Sequence, residues 1–155
     1  MKQLGIIIPC FNCENTIDRC IQSIINQKQS EECEIILIND GSTDNTNEVL
    51  QKYSNRDGFI IYNQKNQGAS IARNKGIELC SCEYIMFVDS DDMLFENSLE
   101  IIFSNLNKYH NSLTIYGINQ EFYKDDKLIK TSEIKSNENE CINLKAEKHK
   151  ILVAS

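Results

Sequence analysis

No stretch of this chain is apolar for long enough to cross a bilayer: runs such as Ile35–Ile38 fall far below the ~18 residues a helical span needs. Basic charge is scarce as well. Sixteen Lys and Arg stand against 23 Asp and Glu, a net charge of −7, and no Lys/Arg cluster offers the stripe that a phosphate backbone demands. Nucleic acid is therefore not an expected partner, and any phosphate ligand must be met locally, by a cation, a helix N-terminus or a lone Arg. Two nucleotide-binding signatures are missing too. There is no G-x-x-x-x-G-K-[ST] loop, and no G-x-G-x-x-G follows the first strand. A phospho-receiver pocket would want paired acids directly after that strand, where the chain carries Pro9-Cys10-Phe11-Asn12. Low-complexity tracts and long repeats are absent.

The seven cysteines, at 10, 13, 20, 33, 80, 82 and 141, are odd in number and lack the look of a disulfide framework, and no secretory leader precedes Met1–Ile8. A reducing cytoplasm is the expected setting. A structural zinc needs four ligands; Cys10-x-x-Cys13 is half a site, and Cys80-x-Cys82 has the wrong spacing for a ribbon. The thiols are expected as small, soft, partly buried side chains.

What is present is an ordinary globular composition, 41% hydrophobic and 25% charged with both signs interspersed. At 155 residues it suits one domain around one core, burying roughly 70% of the unfolded surface. Leu4–Ile8 is an apolar run closed by Pro9, the only proline, and a helical pattern follows at Ile17, Cys20, Ile21, Ile24 and Ile25. The unit recurs: strand Cys33–Ile38, turn Asn39-Asp40-Gly41-Ser42, helix Thr43–Tyr53; then strand Phe59–Tyr62 and a helix opened by Gly68. Strand Tyr84–Val88 runs into Asp89-Ser90-Asp91-Asp92, and helix Asn97–Tyr109 shows Leu99, Ile102, Phe103 and Leu106 on one face. Alternation of this kind predicts an α/β fold, a three-layer α/β/α sandwich with a mainly parallel central sheet. After residue 112 the rhythm changes. Leu113–Ile118, Glu121–Tyr123, the polar turn Lys124–Lys127 and Leu128–Lys130 predict a hairpin; Thr131–Glu140 reads as a loop and Asn143–Val153 as a helix.

In an open parallel sheet, ligands bind beyond the carboxyl ends of the strands. Two of those ends are acidic here. Asp89-Ser90-Asp91 places two carboxylates where an irregular backbone can aim both at one hard cation, Mg²⁺ or Mn²⁺. Asp40 admits a plainer reading, as part of a turn in which Thr43 or Asp44 caps the next helix. Arg73 follows a Gly-Ala-Ser helix start, a place where backbone N–H groups receive phosphate.

Four segments then match together. Ile6–Asn12, Ile38–Asp44, Asn66–Gly76 and Phe87–Asp92 resemble, in order and spacing, the family 2 glycosyltransferases, strongly over residues 4 to 110. The resemblance implies the GT-A fold, a Rossmann-like nucleotide-binding architecture. It further implies a nucleoside diphosphate sugar donor, most often a UDP-sugar, and transfer with inversion to a glycan or lipid-linked acceptor. By the same resemblance Pro9 and Phe11, with Asn12, border the base, and Asp40 accepts a hydrogen bond from it. Arg73 lies near the base or the diphosphate, and Gly68 belongs to the nucleotide-binding set. Asp89 and Ser90 reach the nucleotide, Asp89 also touching the metal; Asp91 is the main metal ligand, and Asp92 lies behind it or toward the acceptor. In that family the catalytic base is a further acid well after the D-x-D motif. Glu138, Glu140 and Glu147 lack its surroundings. Residues 1–155 are thus expected to be one domain shortened on its acceptor side, binding donor but transferring little, with the base beyond Ser155. Peripheral membrane association is expected only of a longer protein.

Overall fold

A computed structural model describes the backbone of residues 2–108, 114–116, 118–124, 127–134 and 150–154, and side chains up to residue 106. The four apolar runs become adjacent strands: β1 (Leu4–Cys10), β2 (Cys33–Asp40), β3 (Phe59–Gln64) and β4 (Tyr84–Phe87). β1 is buried on both faces, which is why it reads as a continuous apolar run rather than an alternation. Leu4, Ile6 and Ile8 turn to one side, where they meet the Ile17, Cys20, Ile21 and Ile24 stripe of α1 (Ile17–Ile25). Helix α4 (Ser98–Lys108) adds Leu99 and Ile102 to this side. Ile7 turns the other way, toward Ala72 of α3 (Ala69–Leu79). There Gly76 lets helix and strand close up, because a Cβ at that position would strike the Ile7 side chain. Each fully buried Ile contributes about 1.5–3 kcal/mol, so these two layers are the main source of stability.

The sheet continues with β8 (Lys150–Ala154) and β5 (Thr114–Tyr116), in the order β3-β2-β1-β4-β8-β5, and all its pairings are parallel. From β1 the chain steps outward to β3 and then returns to the other flank of β1 as β4. Strand order therefore reverses between β1 and β4, and a crevice opens beyond their carboxyl ends. Pro9 is compatible with this central position. The Val88 N–H donates to the Ile7 carbonyl (3.1 Å), so Pro9, two residues on, faces the side on which β4 has already ended.

Several expected boundaries are corrected. Helix α2 spans only Thr46–Gln51, not Thr43–Tyr53, because Thr43 and Asp44 are tied to the loop after β1. Asn97, at φ 64°, stands outside α4, and Tyr109 lies outside the described residues. The run Leu113–Ile118 is divided between β5 and β6 (Ile118–Lys124), and the predicted hairpin is β6 with β7 (Lys127–Ile134), antiparallel and longer than expected. Thr131–Ile134 is thus strand, not loop. The largest correction is at the end of the chain. Within the expected helix Asn143–Val153, residues from Lys150 onward form β8, parallel to β4; residues 143–149 lie outside the described set. Ile151-Leu152-Val153 is a short apolar, partly β-branched run, which suits a strand flanked by neighbours better than a helix. Among the described residues no helix is long and apolar enough to cross a membrane.

Candidate functional site

At the carboxyl ends of β1 and β2, two loops are stapled together. The Asn12 N–H donates to Ser42 Oγ (3.1 Å), and Asn12 Oδ1 accepts the Thr43 N–H (2.8 Å). Asn12 holds φ 48°, a left-handed conformation that Asn tolerates better than most residues. Below it the Cys13 N–H reaches Thr46 Oγ1 (2.8 Å), the Glu14 N–H donates to Asp44 Oδ2 (3.2 Å), and Glu14 Oε2 accepts the Asn45 N–H (2.8 Å) across the same gap. Phe11 is left projecting, 49% exposed at the rim, with Pro9 half-buried behind it.

Asp40 ends β2 and is almost fully buried. Oδ1 accepts Gln64 Nε2 (2.8 Å) and the Gln67 N–H (2.9 Å), and Oδ2 accepts the Gly68 N–H (2.8 Å). Burial alone would raise its pKa; the three hydrogen bonds outweigh it and hold the carboxyl below its ordinary value. The N-cap N–H of α3, from Gly68, and the Gln67 N–H before it are thus already taken by a protein carboxylate. Gly41 follows at φ 72°, where a Cβ would lie 2.6 Å from the Asn66 nitrogen, so only glycine brings the two loops this close.

The acidic loop after β4 is anchored from beneath by α1. Arg19 Nη2 donates to the Asp91 carbonyl (3.0 Å), Cys20 Sγ to the Asp89 carbonyl (3.6 Å), and Ser23 Oγ accepts the Leu94 N–H (3.0 Å). One turn further along, Gln27 Oε1 takes the Leu99 N–H (2.9 Å). Asp89 and Asp91 keep exposed carboxylates, and Ser90 is half-buried against Cys13, with which it hydrogen-bonds. Arg73 on α3 closes the ring with an exposed ion pair to Asp89 Oδ1 (2.5 Å). Asp92 is pushed up by burial first and then by the charges of Asp91 and Asp89, so the loop carries more negative charge than its protein surroundings compensate.

The structure therefore gathers Pro9, Phe11, Asn12, Asp40, Gly68, Arg73, Asp89, Ser90 and Asp91 at one end of the sheet. Glu138, Glu140 and Glu147 lie outside the described residues. Arg19 went unrecognised in the sequence because an Arg on the polar face of an amphipathic helix looks like any solvated charge. Gln64 and Gln67 went unrecognised because a hydrogen bond to a carboxylate 24 or 27 residues away leaves no local pattern.

A switch-point crevice with a buried acid on one side and paired exposed acids on the other defines an α/β nucleotide-binding domain of the GT-A kind. The chain belongs to glycosyl transferase family 2, whose family model matches residues 5–154. It is similar to the poly(ribitol-phosphate) beta-N-acetylglucosaminyltransferase TarP of Staphylococcus aureus, 41% identical over 123 residues, which cover 76% of this chain and 36% of TarP. The glycosyltransferase GlyA of Streptococcus pneumoniae is 36% identical over 114 residues, 73% of this chain and 16% of GlyA. Crystal structures of S. aureus TarS, including complexes with UDP and with UDP-GlcNAc, share the fold with a TM-score of 0.67 and 27% identity, covering 74% of this chain. The match spans only 35% and 34% of those two chains. This chain spans well under half the length of each of these proteins.

Proposed function

We propose that this chain holds a UDP-sugar across the crevice between β1 and β4, with a divalent metal, as the donor half of an inverting glycosyltransferase. The observation that carries the reading is the convergence of Asp40 and the Asp89–Asp91 loop at one switch point, in a family whose member TarS is seen with UDP and UDP-GlcNAc. Phe11 and Pro9 border the base. Asp40 Oδ2 has one protein donor, leaving a lone pair for a base N–H. The Arg73–Asp89 pair is solvent-exposed, and such pairs contribute about 0–1 kcal/mol, so a diphosphate can draw Arg73 away at little cost. Asp89 is then free to turn toward the ribose and metal.

The residues present fit a hard cation. Asp89 and Asp91 offer exposed carboxylate oxygens, and Asp92 adds a third acid beside them. When bound, Mg²⁺ or Mn²⁺ stabilises the negative charge that develops on the nucleoside diphosphate leaving group. The base that deprotonates a glycan or lipid-linked acceptor is proposed to come from outside residues 1–155, in the cytoplasm, with the full-length protein at a membrane surface where its acceptor is lipid-linked.

Calorimetric titration with UDP tests the reading. Binding should be weak with chelator and at least about tenfold tighter with Mn²⁺, because the acidic loop repels a diphosphate until a cation reverses the local sign. Asp91→Ala should remove that metal dependence, and Asp92→Ala should change it less. Equal affinity with and without metal refutes the metal assignment; no UDP binding under any condition refutes the donor assignment.

A further inference from the structure

At the end of the sheet opposite Asp40, the ligand atoms of Glu34, Cys80 and Cys82 all lie within 4.8 Å of one another. Glu34 is the second residue of β2, Cys80 follows α3, and Cys82 precedes β4. Gly5 is the neighbour of Glu34 in the sheet register, and a Cβ there would collide with Cys80 Sγ, so the missing side chain makes room for the sulfur. Cys82 Sγ is 3.9 Å from Glu34 Oε2. Glu34 is itself oriented by Ser81, whose N–H donates to Oε2 (2.9 Å) and whose hydroxyl donates to Oε1 (3.0 Å). The Cys82 N–H also bonds to Cys80. Both cysteines are buried while Glu34 is half-exposed, so the cluster meets solvent on its carboxylate side.

We propose that Glu34, Cys80 and Cys82 are three ligands of a zinc-class divalent ion whose fourth position opens to solvent, separate from the hard-cation position at Asp89 and Asp91. Two sulfurs and one oxygen form a borderline-soft set, which suits Zn²⁺ and not Mg²⁺. With Zn–S near ~2.3 Å and Zn–O near ~2.0–2.2 Å, tetrahedral ligands stand roughly 3.5–3.8 Å apart. The 3.9 Å Cys82–Glu34 separation is already close to that, and Ser81 supplies the outer hydrogen bonds that typically orient a ligating carboxylate. The spacing Cys80-x-Cys82 fails as half of a zinc ribbon; it is the parallel sheet that brings Glu34, 46 residues before Cys80, to complete the set. Bound metal would tie the start of β2 to the α3–β4 connection.

The test titrates the reduced chain with Co²⁺, a spectroscopic stand-in for Zn²⁺, in excess Mg²⁺ to occupy the acidic loop. A thiolate-to-cobalt charge-transfer band should grow to one Co²⁺ per chain and vanish when Zn²⁺ is added. A Cys80→Ser/Cys82→Ser double variant should abolish the band, whereas a Cys10→Ser/Cys13→Ser double variant should keep it. Glu34→Gln should weaken Co²⁺ binding by about 10–100-fold while the band persists. No thiolate band at millimolar Co²⁺ overturns the proposal, as does a band that survives Cys80→Ser/Cys82→Ser or is lost with Cys10 and Cys13. Should Cys80→Ser/Cys82→Ser not fold, unchanged Co²⁺ affinity in Glu34→Gln overturns the three-ligand set.

Discussion

Replacing Asp40 with Asn isolates the contribution of one carboxylate to the architecture of the crevice. The native side chain accepts three hydrogen bonds on two oxygens, so an amide can satisfy at most one side. If its oxygen keeps Gln64 and Gln67, its NH₂ group faces the Gly68 N–H, donor against donor. Hydrogen bonds to a charged group contribute about 1.5–3 kcal/mol, and the bonds that remain are weakened by loss of charge, giving a destabilisation of about 2–4 kcal/mol at neutral pH. The pH dependence carries an independent check. Because the folded-state pKa is below the ordinary value of 3.8, this stabilisation is fully present above that value and is lost as pH falls through the folded pKa. Urea unfolding of both proteins should therefore show the widest gap at neutral pH and a narrowing gap in strong acid. A gap under about 0.5 kcal/mol at neutral pH, or one that stays constant into strong acid, refutes the reasoning.

Gly41→Ala should destabilise the protein by about 1–3 kcal/mol and weaken UDP binding, since φ 72° and the Asn66 nitrogen leave no place for a Cβ; an unchanged melting temperature counts against that. Arg19→Ala removes the brace on the Asp91 carbonyl from an exposed helix position, so stability should stay within about 0.5 kcal/mol while UDP affinity in Mn²⁺ falls several-fold. Calorimetry giving wild-type affinity would show that the acidic loop holds its shape without Arg19.

The strands and helices legible in the sequence were those whose pattern is local and repeated. β1 to β4 announce themselves as apolar runs ended by turn residues, and α1 by its Ile17, Cys20, Ile21, Ile24 stripe. β8 misled because Asn143–Val153 mixes charged and apolar residues in a spacing that a helix also tolerates, and only the neighbouring β4 and β5 select the strand. α2 was read too long since Thr43 and Asp44 look like helix caps; Asp44 does accept the Thr46 N–H (3.0 Å), yet its other oxygen holds Glu14 across the gap. At the candidate site, the acids were legible from their position at strand ends. Their supports were not: Arg19, Gln64 and Gln67 act across distances in sequence that leave no motif.

The bonds from α1 to the acidic loop have a consequence for how the crevice assembles. The Asn12–Ser42 staple closes a segment of 30 residues, whereas the Arg19–Asp91 bond closes one of 72. By chain-closure entropy alone the longer closure costs only about 0.8 kcal/mol more, so length by itself does not hold it back. The two bonds differ in the strand pairing they accompany: the Asn12–Ser42 staple goes with β1–β2, and the acidic loop's bonds to α1 go with β1–β4. A change that loosens β4 from β1 should therefore free the acidic loop while leaving the Asn12–Ser42 staple in place, so the two walls of the crevice can be perturbed one at a time.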